Sequence, residues 1–170
     1  MPEAFTDCRT MTEGRRTLYV WRLSVYQNET SEVQKNMSLE KAKAYLESKG
    51  FLDHVIELRD STATVQEAAA ALGVEPAMIA KTMSFLQGEK AVLILTEGAA
   101  KVDNRKYKDT FHVKAKMIPF DEVEQYVGHA PGGVCPFGIN EGVEVYLDES
   151  LRQFEVVYPA AGNDHSAVKL

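Results

Sequence analysis

The sequence has 170 residues but only two cysteines, Cys8 and Cys135. They are too few and too far apart to suggest a disulfide framework or a zinc site. No apolar run approaches the roughly 20 residues that a membrane-spanning helix needs. The N-terminus also lacks the pattern of a secretory signal peptide. These absences predict a protein of the reducing cytoplasm with no membrane span.

Basic residues are outnumbered by acidic ones, 19 to 25, so the formal net charge at pH 7 is −6. This counts against a general nucleic-acid binder, whose phosphate contacts need clustered lysine and arginine. One segment differs from the average, since six basic residues between positions 101 and 116 stand against the acids Asp103 and Asp109. The basic residues are Lys101, Arg105, Lys106, Lys108, Lys114 and Lys116. Taken alone, such a segment is typical of a solvated charged face.

Motifs for metals and nucleotides are missing as well. The four histidines lie far apart, and no Cys-x-x-Cys, His-x-His or His-Glu-x-x-His pattern occurs. The pair Gly132-Gly133 is not part of a Gly-x-Gly-x-x-Gly fingerprint, and no Gly-Lys-Ser/Thr follows a strand. The sequence therefore predicts no metal site and no cofactor.

The chain divides at about residue 36. Tyr19–Val25 alternates apolar and polar residues as a strand does, but its flanks are polar. Residues 1–36 are therefore either an added strand or a poorly ordered extension. Residues 37–170 read as one α+β domain, opened by a helix from Leu39 to Ser48 that Ser38 would cap.

Short strands and helices follow without a regular βαβ repeat. A capping box, Thr64-Val65-Gln66-Glu67, opens a helix that Gly73 ends, and Pro76 begins a short helical turn. The other predicted helices are Asn104–Lys108 and one from about Pro119 to Val127. The predicted strands are His54–Leu58, Lys81–Leu86, Ala91–Thr96, Val143–Leu147, Phe154–Val157 and Ala167–Leu170. The second and third of these are predicted to form a hairpin through Gln87-Gly88-Glu89.

Two segments carry the chemical signal. Gly132-Gly133-Val134-Cys135-Pro136-Phe137-Gly138 contains three glycines and a proline, a composition that holds backbone amides in a fixed shape. Such amides can bind an ester carbonyl or a phosphate, although an ordinary turn would look the same. In the second segment, Lys81 interrupts the apolar run Ile79–Phe85 at a strand start, where a lysine commonly points to solvent.

Together, Ala80-Lys81-Thr82 and the loop from Gly132 to Gly138 resemble the YbaK/EbsC/ProX family of aminoacyl-tRNA editing domains. The resemblance covers about residues 37–170. The family it points to also includes the editing insertion domain of bacterial prolyl-tRNA synthetases. It implies a mixed, largely antiparallel sheet curled into a partial barrel with surrounding helices. It also implies a trans-editing hydrolase that deacylates mischarged tRNA, with tRNA(Pro) carrying a wrong small amino acid as the expected substrate.

The resemblance assigns candidate roles to individual residues. Lys81, Gly132 and Gly133 would carry catalysis by holding the ester and its adjoining phosphate. The implied substrate-binding residues are Thr82, Val134, Cys135, Pro136, Phe137, Gly138, Asp148, Asn163 and His165. The basic residues Lys101, Arg105, Lys106 and Lys108 would hold the acceptor end of the tRNA. Prolyl-tRNA synthetase is an implied partner, whereas the oligomeric state stays open.

Two other functions compete with this interpretation. One is a non-catalytic module that binds a synthetase or tRNA and keeps the fold without the activity. The other is a thiol hydrolase with Cys135 as nucleophile and His129, six residues away, as its base. The resemblance counts against the thiol hydrolase, because family members often carry a hydroxyl residue at the cysteine position and form no acyl-enzyme. The retained Lys81 and the intact loop from Gly132 to Gly138 favour the active enzyme over the non-catalytic module.

Overall fold

The computed structural model describes residues 33–170, and Lys35–Leu170 form one compact unit. The predicted strand Tyr19–Val25 lies outside the described residues. The helices are α1 (residues 33–48), α2 (Val65–Leu72), α3 (Asn104–Phe111) and α4 (Val123–Val127), with 3-10 turns at Leu52–His54, Pro76–Met78 and Glu149–Gln153. The strands are β1 (Val55–Glu57), β2 (Ile79–Gln87), β3 (Lys90–Glu97), β4 (Glu144–Leu147), β5 (Tyr158–Pro159) and β6 (Ser166–Val168).

Helix α2 begins and ends where the sequence predicts. The Thr64 hydroxyl accepts a hydrogen bond from the Glu67 amide at 3.2 Å, and the Glu67 carboxylate accepts one from the Thr64 amide at 3.2 Å. Gly73 ends the helix with a left-handed φ of 68°, a conformation that glycine adopts without strain. The capping box is confirmed, and it places Thr62–Thr64 directly before the helix.

The predicted start of α1 is wrong. The chain is already helical at residue 33, so Ser38 lies inside the helix instead of capping it. Its side chain is buried, and its hydroxyl accepts a hydrogen bond at 3.0 Å from the amide of Ala130, 92 residues away. The Ser38 hydroxyl therefore provides a hydrogen-bond acceptor for the backbone of a distant loop. In the sequence alone, a serine inside a helix cannot be told from one that caps it.

A four-stranded mixed sheet in the order β4-β3-β2-β5 forms the centre of the α+β fold and curls into a half-barrel. Strands β2 and β3 form the predicted hairpin, paired antiparallel from Ala80–Glu97 to Gln87–Lys90. The outer strands β4 and β5 run parallel to their neighbours. A separate antiparallel pair joins β1 to β6. The predicted fold class is confirmed.

The predicted strand Phe154–Val157 is wrong, because strand pairing begins at Tyr158. Tyr158 and Pro159 lie beside Ile79 and Ala80 at the start of β2. Val157 instead exchanges two backbone hydrogen bonds with Leu170. This shift brings Tyr158 to the end of the hairpin where Lys81 lies.

Both faces of the hairpin are covered. One face packs Leu86, Ala91 and Leu93 against Val123 and Val127 of α4. The other packs apolar residues, including Phe85, Val92 and Ile94, against Tyr107 of α3. Among residues 33–170 no helix is long and apolar enough to cross a membrane.

Candidate functional site

The glycine-rich loop is anchored to α1. A Cβ on Gly138 would lie 2.4 Å from the carbonyl oxygen of Lys41, and one on Gly162 would lie 2.4 Å from that of Ser38. Both glycines also have positive φ angles, 62° and 100°. Only glycine allows the backbone to approach the helix so closely. The helix therefore fixes the position of the loop from Gly132 to Gly138 and of the neighbouring turn.

The two adjacent glycines of the loop have different roles. Gly132 is exposed, has a φ of 91°, and would meet nothing within 4 Å if it carried a Cβ. Gly133 is buried, and a Cβ there would lie 2.4 Å from the Gly162 carbonyl oxygen. The Gly133 amide donates to the Ala130 carbonyl at 3.2 Å. The predicted use of this amide to grip a substrate carbonyl would require that hydrogen bond to break.

Lys81 stands near the start of β2, opposite Thr96 of β3. Its ammonium group donates to the carbonyl oxygens of Ala100 at 2.6 Å and Gly98 at 3.2 Å. An ammonium has three N–H donors, so these two bonds leave one for a ligand. The two carbonyls hold a positive charge at a defined place on a half-buried side chain.

A cavity of about 200 Å³ opens where the start of β2, the glycine loop and the strands β5 and β6 meet. It brings together four predicted site residues: Lys81, Thr82, Gly132 and Val134. The rest of the wall is Thr62, Ala63, Thr64, Val65, Ala68, Ile79, Ala80, Tyr158, Ala160, Ser166 and Ala167. We call this space the alanine cavity, after the five alanines that line it.

Two threonines of the alanine cavity have unsatisfied hydroxyl groups. The Oγ1 atoms of Thr62 and Thr82 are both buried and have no hydrogen-bond partner. A buried hydroxyl without a partner costs on the order of 1–3 kcal/mol. Such groups commonly mark a place where a ligand or water binds.

The sequence interpretation missed Thr62, Tyr158 and Ser166. Thr62 is part of the approach to a capping box and looks structural in the sequence. Tyr158 reaches the cavity only because β5 pairs with β2 across about 80 residues of chain. Ser166 donates to Asn163 at 2.6 Å, and no local pattern marks it as a site residue.

The end of the loop, from Cys135 to Gly138, lies away from the cavity. Cys135 and Phe137 are buried in a cluster with Leu39, Ala42 and Leu46 of α1. Pro136 lies between them and is half-buried. They and Gly138 are not part of the cavity wall. Their predicted contacts with substrate stay predictions, and the structure shows them anchoring the loop.

The turn before β6 is held by its own side chains. The side-chain oxygen of Asn163 accepts from the His165 amide at 3.0 Å and from the Ser166 hydroxyl at 2.6 Å. His165 contacts Asp164 at 3.0 Å through Nδ1. Asn163 and His165 do not line the alanine cavity, although Ser166 and Ala167 do. Asn163 and His165 thus belong to the turn that leads into the wall residues Ser166 and Ala167.

Asp148 lies at a different cavity. It caps the turn Glu149–Gln153 by accepting a hydrogen bond from the Ser150 amide at 2.9 Å. Hydrogen bonds from Ser150 lower the pKa of this carboxyl below its usual value, and the positive charge of Lys106 adds to the effect. Asp148, Lys101 and Lys106 all line a second space of about 420 Å³. Arg105 and Lys108 are exposed on α3 and are not part of that wall.

Within the described part of the chain, no three His, Cys, Asp or Glu side chains come together as metal ligands. The prediction that the protein uses no metal or cofactor stays a prediction.

Comparison with known proteins shows what the chain as a whole is similar to. Residues 59–170 match the model of the aminoacyl-tRNA editing domain. The chain is 43% identical over 135 residues to the uncharacterized protein YwhH of Bacillus subtilis, covering 79% of this chain and 86% of that protein. It is 33% identical over 104 residues to a proline–tRNA ligase of the same organism, covering 60% of this chain but only 18% of the ligase. A solved structure described as a candidate trans-editing enzyme for prolyl tRNA synthetase superposes with a TM-score of 0.72 at 33% identity, covering 78% of this chain and 85% of that one.

Proposed function

Since the chain belongs to the aminoacyl-tRNA editing domain family, we propose that it deacylates mischarged tRNA and that its substrate is tRNA(Pro) carrying a wrong, small amino acid. Similarity to a proline–tRNA ligase supports the choice of tRNA. The observation that carries the proposal is the grouping of Lys81, Gly132 and two unsatisfied threonine hydroxyls around one cavity.

The size of the alanine cavity supports a small aminoacyl group. At about 200 Å³, it lies below the roughly 300–1,000 Å³ of pockets that hold drug-sized ligands. Its apolar wall includes Ala68, Ala80 and Ala167, whose methyl groups leave room without offering polar partners. The aminoacylation site of a synthetase distinguishes poorly between amino acids whose side chains differ by a methylene-sized group. A second site of limited size can then select the smaller amino acid for hydrolysis.

The polar groups of the cavity match the reaction. Water attacks the ester carbonyl carbon, the carbonyl oxygen gains negative charge, and the bond to the ribose oxygen breaks as that oxygen takes a proton from the water. The hydroxyls of Thr62 and Thr82 can position the attacking water or bind the amino group of the substrate. The ammonium of Lys81 can stabilise the negative charge of the ester oxygen or bind the adjoining phosphate.

A protein nucleophile is not needed in this scheme. The ester is already activated, so holding water against it at the right distance supplies much of the rate enhancement. Burial raises the pKa of the Cys135 thiol to about 12, so the thiolate that a cysteine hydrolase requires would not form near neutral pH. The deacylase would act on the acceptor end of tRNA in the cytoplasm, with prolyl-tRNA synthetase as the source of the mischarged substrate.

The direct test is a panel of purified tRNA(Pro) molecules charged with alanine, serine, cysteine or proline, incubated with the full chain. Release of a small amino acid, with Pro-tRNA(Pro) left intact, is the expected result. Ala-tRNA(Ala) serves as the control for tRNA identity. Binding of the charged tRNAs without release of any amino acid would instead identify a non-catalytic module.

A further inference from the structure

The second cavity, of about 420 Å³, lies on the α3 side of the hairpin. Its wall contains Tyr107 and Phe111 of α3, Tyr146 of β4, Thr96 of β3 and the lysines Lys101 and Lys106. The proposed function does not use this space. We call it the aromatic cavity.

Three aromatic rings form one side of the aromatic cavity. The ring centres of Tyr107 and Phe111 are 4.7 Å apart, and those of Phe111 and Tyr146 are 5.0 Å apart in an edge-on arrangement. The Tyr146 hydroxyl donates to Glu144 at 2.8 Å, which restrains the ring, while the residue stays 40% exposed. A fixed, partly exposed ring beside a cavity is a suitable stacking surface for a planar ligand.

Thr96 supplies an independent sign of a ligand. It is only 3% exposed, and its Oγ1 is buried without a hydrogen-bond partner. It lines the aromatic cavity together with Ile94, two positions away on the same face of β3. A ligand that enters the cavity can satisfy this hydroxyl.

The charges of the wall argue against a simple anion. Lys101 and Lys106 are accompanied by Asp103, Asp148 and Glu149. Asp103 accepts hydrogen bonds from the amides of Arg105 and Lys106, and Asp148 accepts one from the amide of Ser150. A wall of mixed sign suits a ligand that carries hydroxyl or amino groups as well as one negative group.

We propose that the aromatic cavity binds a ribonucleotide unit. The base stacks on Tyr146 and Phe111, and a polar group of the nucleotide bonds to the Thr96 hydroxyl. The carboxylates accept from the ribose hydroxyls, and the phosphate faces Lys101 and Lys106, which are exposed. The base, the ribose diol and the phosphate of a nucleotide thus match the aromatic rings, the carboxylates and the lysines of the wall.

The two cavities are neighbours across one strand pair. Lys81 of the alanine cavity pairs with Thr96 of the aromatic cavity. Its ammonium binds the carbonyl of Ala100, which lines the aromatic cavity. The nucleotide could therefore belong to the unpaired end of the RNA whose aminoacyl group occupies the alanine cavity, and in naming this source the inference rests on the proposed function. A free mononucleotide offers the same chemistry.

The test is an NMR titration of the full chain with AMP, with inorganic phosphate, and with two RNA minihelices, one blunt and one with an unpaired 3′ end. Saturable shifts of the Thr96, Lys106 and Tyr146 amides with AMP, and none with phosphate at the same concentration, are expected. Shifts with the extended minihelix but not the blunt one identify RNA as the source; shifts with AMP alone identify a free nucleotide. Absence of saturable shifts with AMP and with both RNAs, or equal shifts with phosphate, would overturn the proposal.

Variants separate this site from a general effect on folding. Tyr146→Ala should weaken AMP binding roughly 5- to 150-fold, the range expected for a lost stacking partner. Thr96→Val should weaken it about 2- to 10-fold without lowering the melting temperature, because the change also removes an unsatisfied hydroxyl. Phe120→Ala removes an exposed aromatic ring that is not part of the cavity wall; it is the matched control for Tyr146→Ala and should bind AMP normally. Unaltered AMP affinity in both cavity variants would contradict the assignment.

A crossover experiment distinguishes failure of this proposal from failure of the proposed function. Thr82→Val, in the alanine cavity, should slow deacylation and leave AMP affinity unaltered. Tyr146→Ala should raise KM for charged tRNA more than it lowers kcat if the nucleotide belongs to the substrate. If no charged tRNA is deacylated at all, the AMP titration still decides whether the aromatic cavity is a nucleotide site.

Discussion

The Sγ atom of Cys135 lies 3.5 Å from Nδ1 of His129, and both side chains are completely buried. The Cys135 amide also points its N–H at the same nitrogen, at 3.4 Å. Nδ1 therefore serves as the acceptor, which places the proton of a neutral ring on Nε2, a buried atom without a partner. A cysteine beside a histidine could form a catalytic dyad, but both side chains are buried like residues of the protein core.

Cys135→Ser should keep most of the deacylase activity. Burial raises the pKa of the thiol to about 12 and lowers that of His129 to about 4, so the pair stays neutral near pH 7 instead of forming a thiolate and an imidazolium. The measurement is the deacylation rate, together with mass spectrometry of the enzyme during turnover. An inactive Cys135→Ser variant and an acyl-thioester on the native protein would establish the covalent mechanism instead.

His129 should make the protein less stable in mild acid. Burial, and secondarily the charge of Lys41, lowers the pKa of its ring from 6.5 to about 4. Between these values the unfolded chain binds a proton that the folded chain does not, so the free energy of unfolding falls as pH drops from about 6.5 towards 4. The full effect is on the order of 3 kcal/mol. Urea denaturation at a series of pH values measures it.

The control for this pH dependence is His129→Gln, which keeps a polar side chain but does not titrate. Its stability should vary much less between pH 6.5 and pH 4 than that of the native chain. Asp103, Asp148 and Asp164, whose carboxyl pKa values are lowered, lose their contributions only at more acidic pH. An equal slope in both proteins would show that another group titrates.

Lys81→Ala should slow deacylation by roughly one to two orders of magnitude and leave the fold intact. A charged hydrogen bond is worth about 1.5–3 kcal/mol, so its loss in the transition state alone would slow the reaction roughly 10- to 150-fold. The melting temperature should fall modestly, because Lys81 also joins the carbonyls of Gly98 and Ala100. A normal rate in a well-folded Lys81→Ala protein would remove this lysine from the mechanism.

Gly133→Ala and Gly132→Ala should have different effects. At Gly133 the new methyl group meets the Gly162 carbonyl oxygen at 2.4 Å, and overpacking of this kind costs typically about 1–3 kcal/mol. At Gly132 there is space, but a φ of 91° is strained for alanine. We expect a larger fall in melting temperature for Gly133→Ala and a larger fall in activity per folded molecule for Gly132→Ala. Gly142→Ala, with a φ of 85° and open space, controls for backbone strain alone.

Local signals in the sequence predicted local structure well. The capping box at Thr64 and the hairpin turn near Gly88 depend on residues within a few positions of each other, and both are confirmed. Ser38 misled the prediction of α1 because its hydroxyl serves Ala130, far away in sequence. Strand β5 was placed too early because its position depends on pairing with β2.

The candidate site, like the fold, was predictable where a local motif marks its residues. Lys81, Thr82, Gly132 and Val134 came from motifs, and the fold brings them to one cavity. Asp148 stands at the other cavity, on the α3 side of the hairpin. The curvature of the sheet decides which strand ends meet, and no spacing in the sequence records it.

A chain beginning at Met37 should fold and deacylate, because every residue of the alanine cavity lies between Thr62 and Ala167. It should nevertheless be less stable than a chain beginning at Val33, since it lacks Lys35, whose ammonium lies 2.7 Å from the Asp164 carboxylate. Burial alone would raise the pKa of Asp164, but hydrogen bonds from Lys35 and His165 lower it overall. With the Asp164 side chain only 19% exposed, losing this partner should cost about 1 kcal/mol, more than a typical exposed pair. Lys35→Gln in the full chain should reproduce the loss. Aggregation or inactivity of both shortened chains would show that residues before 33 belong to the working fold.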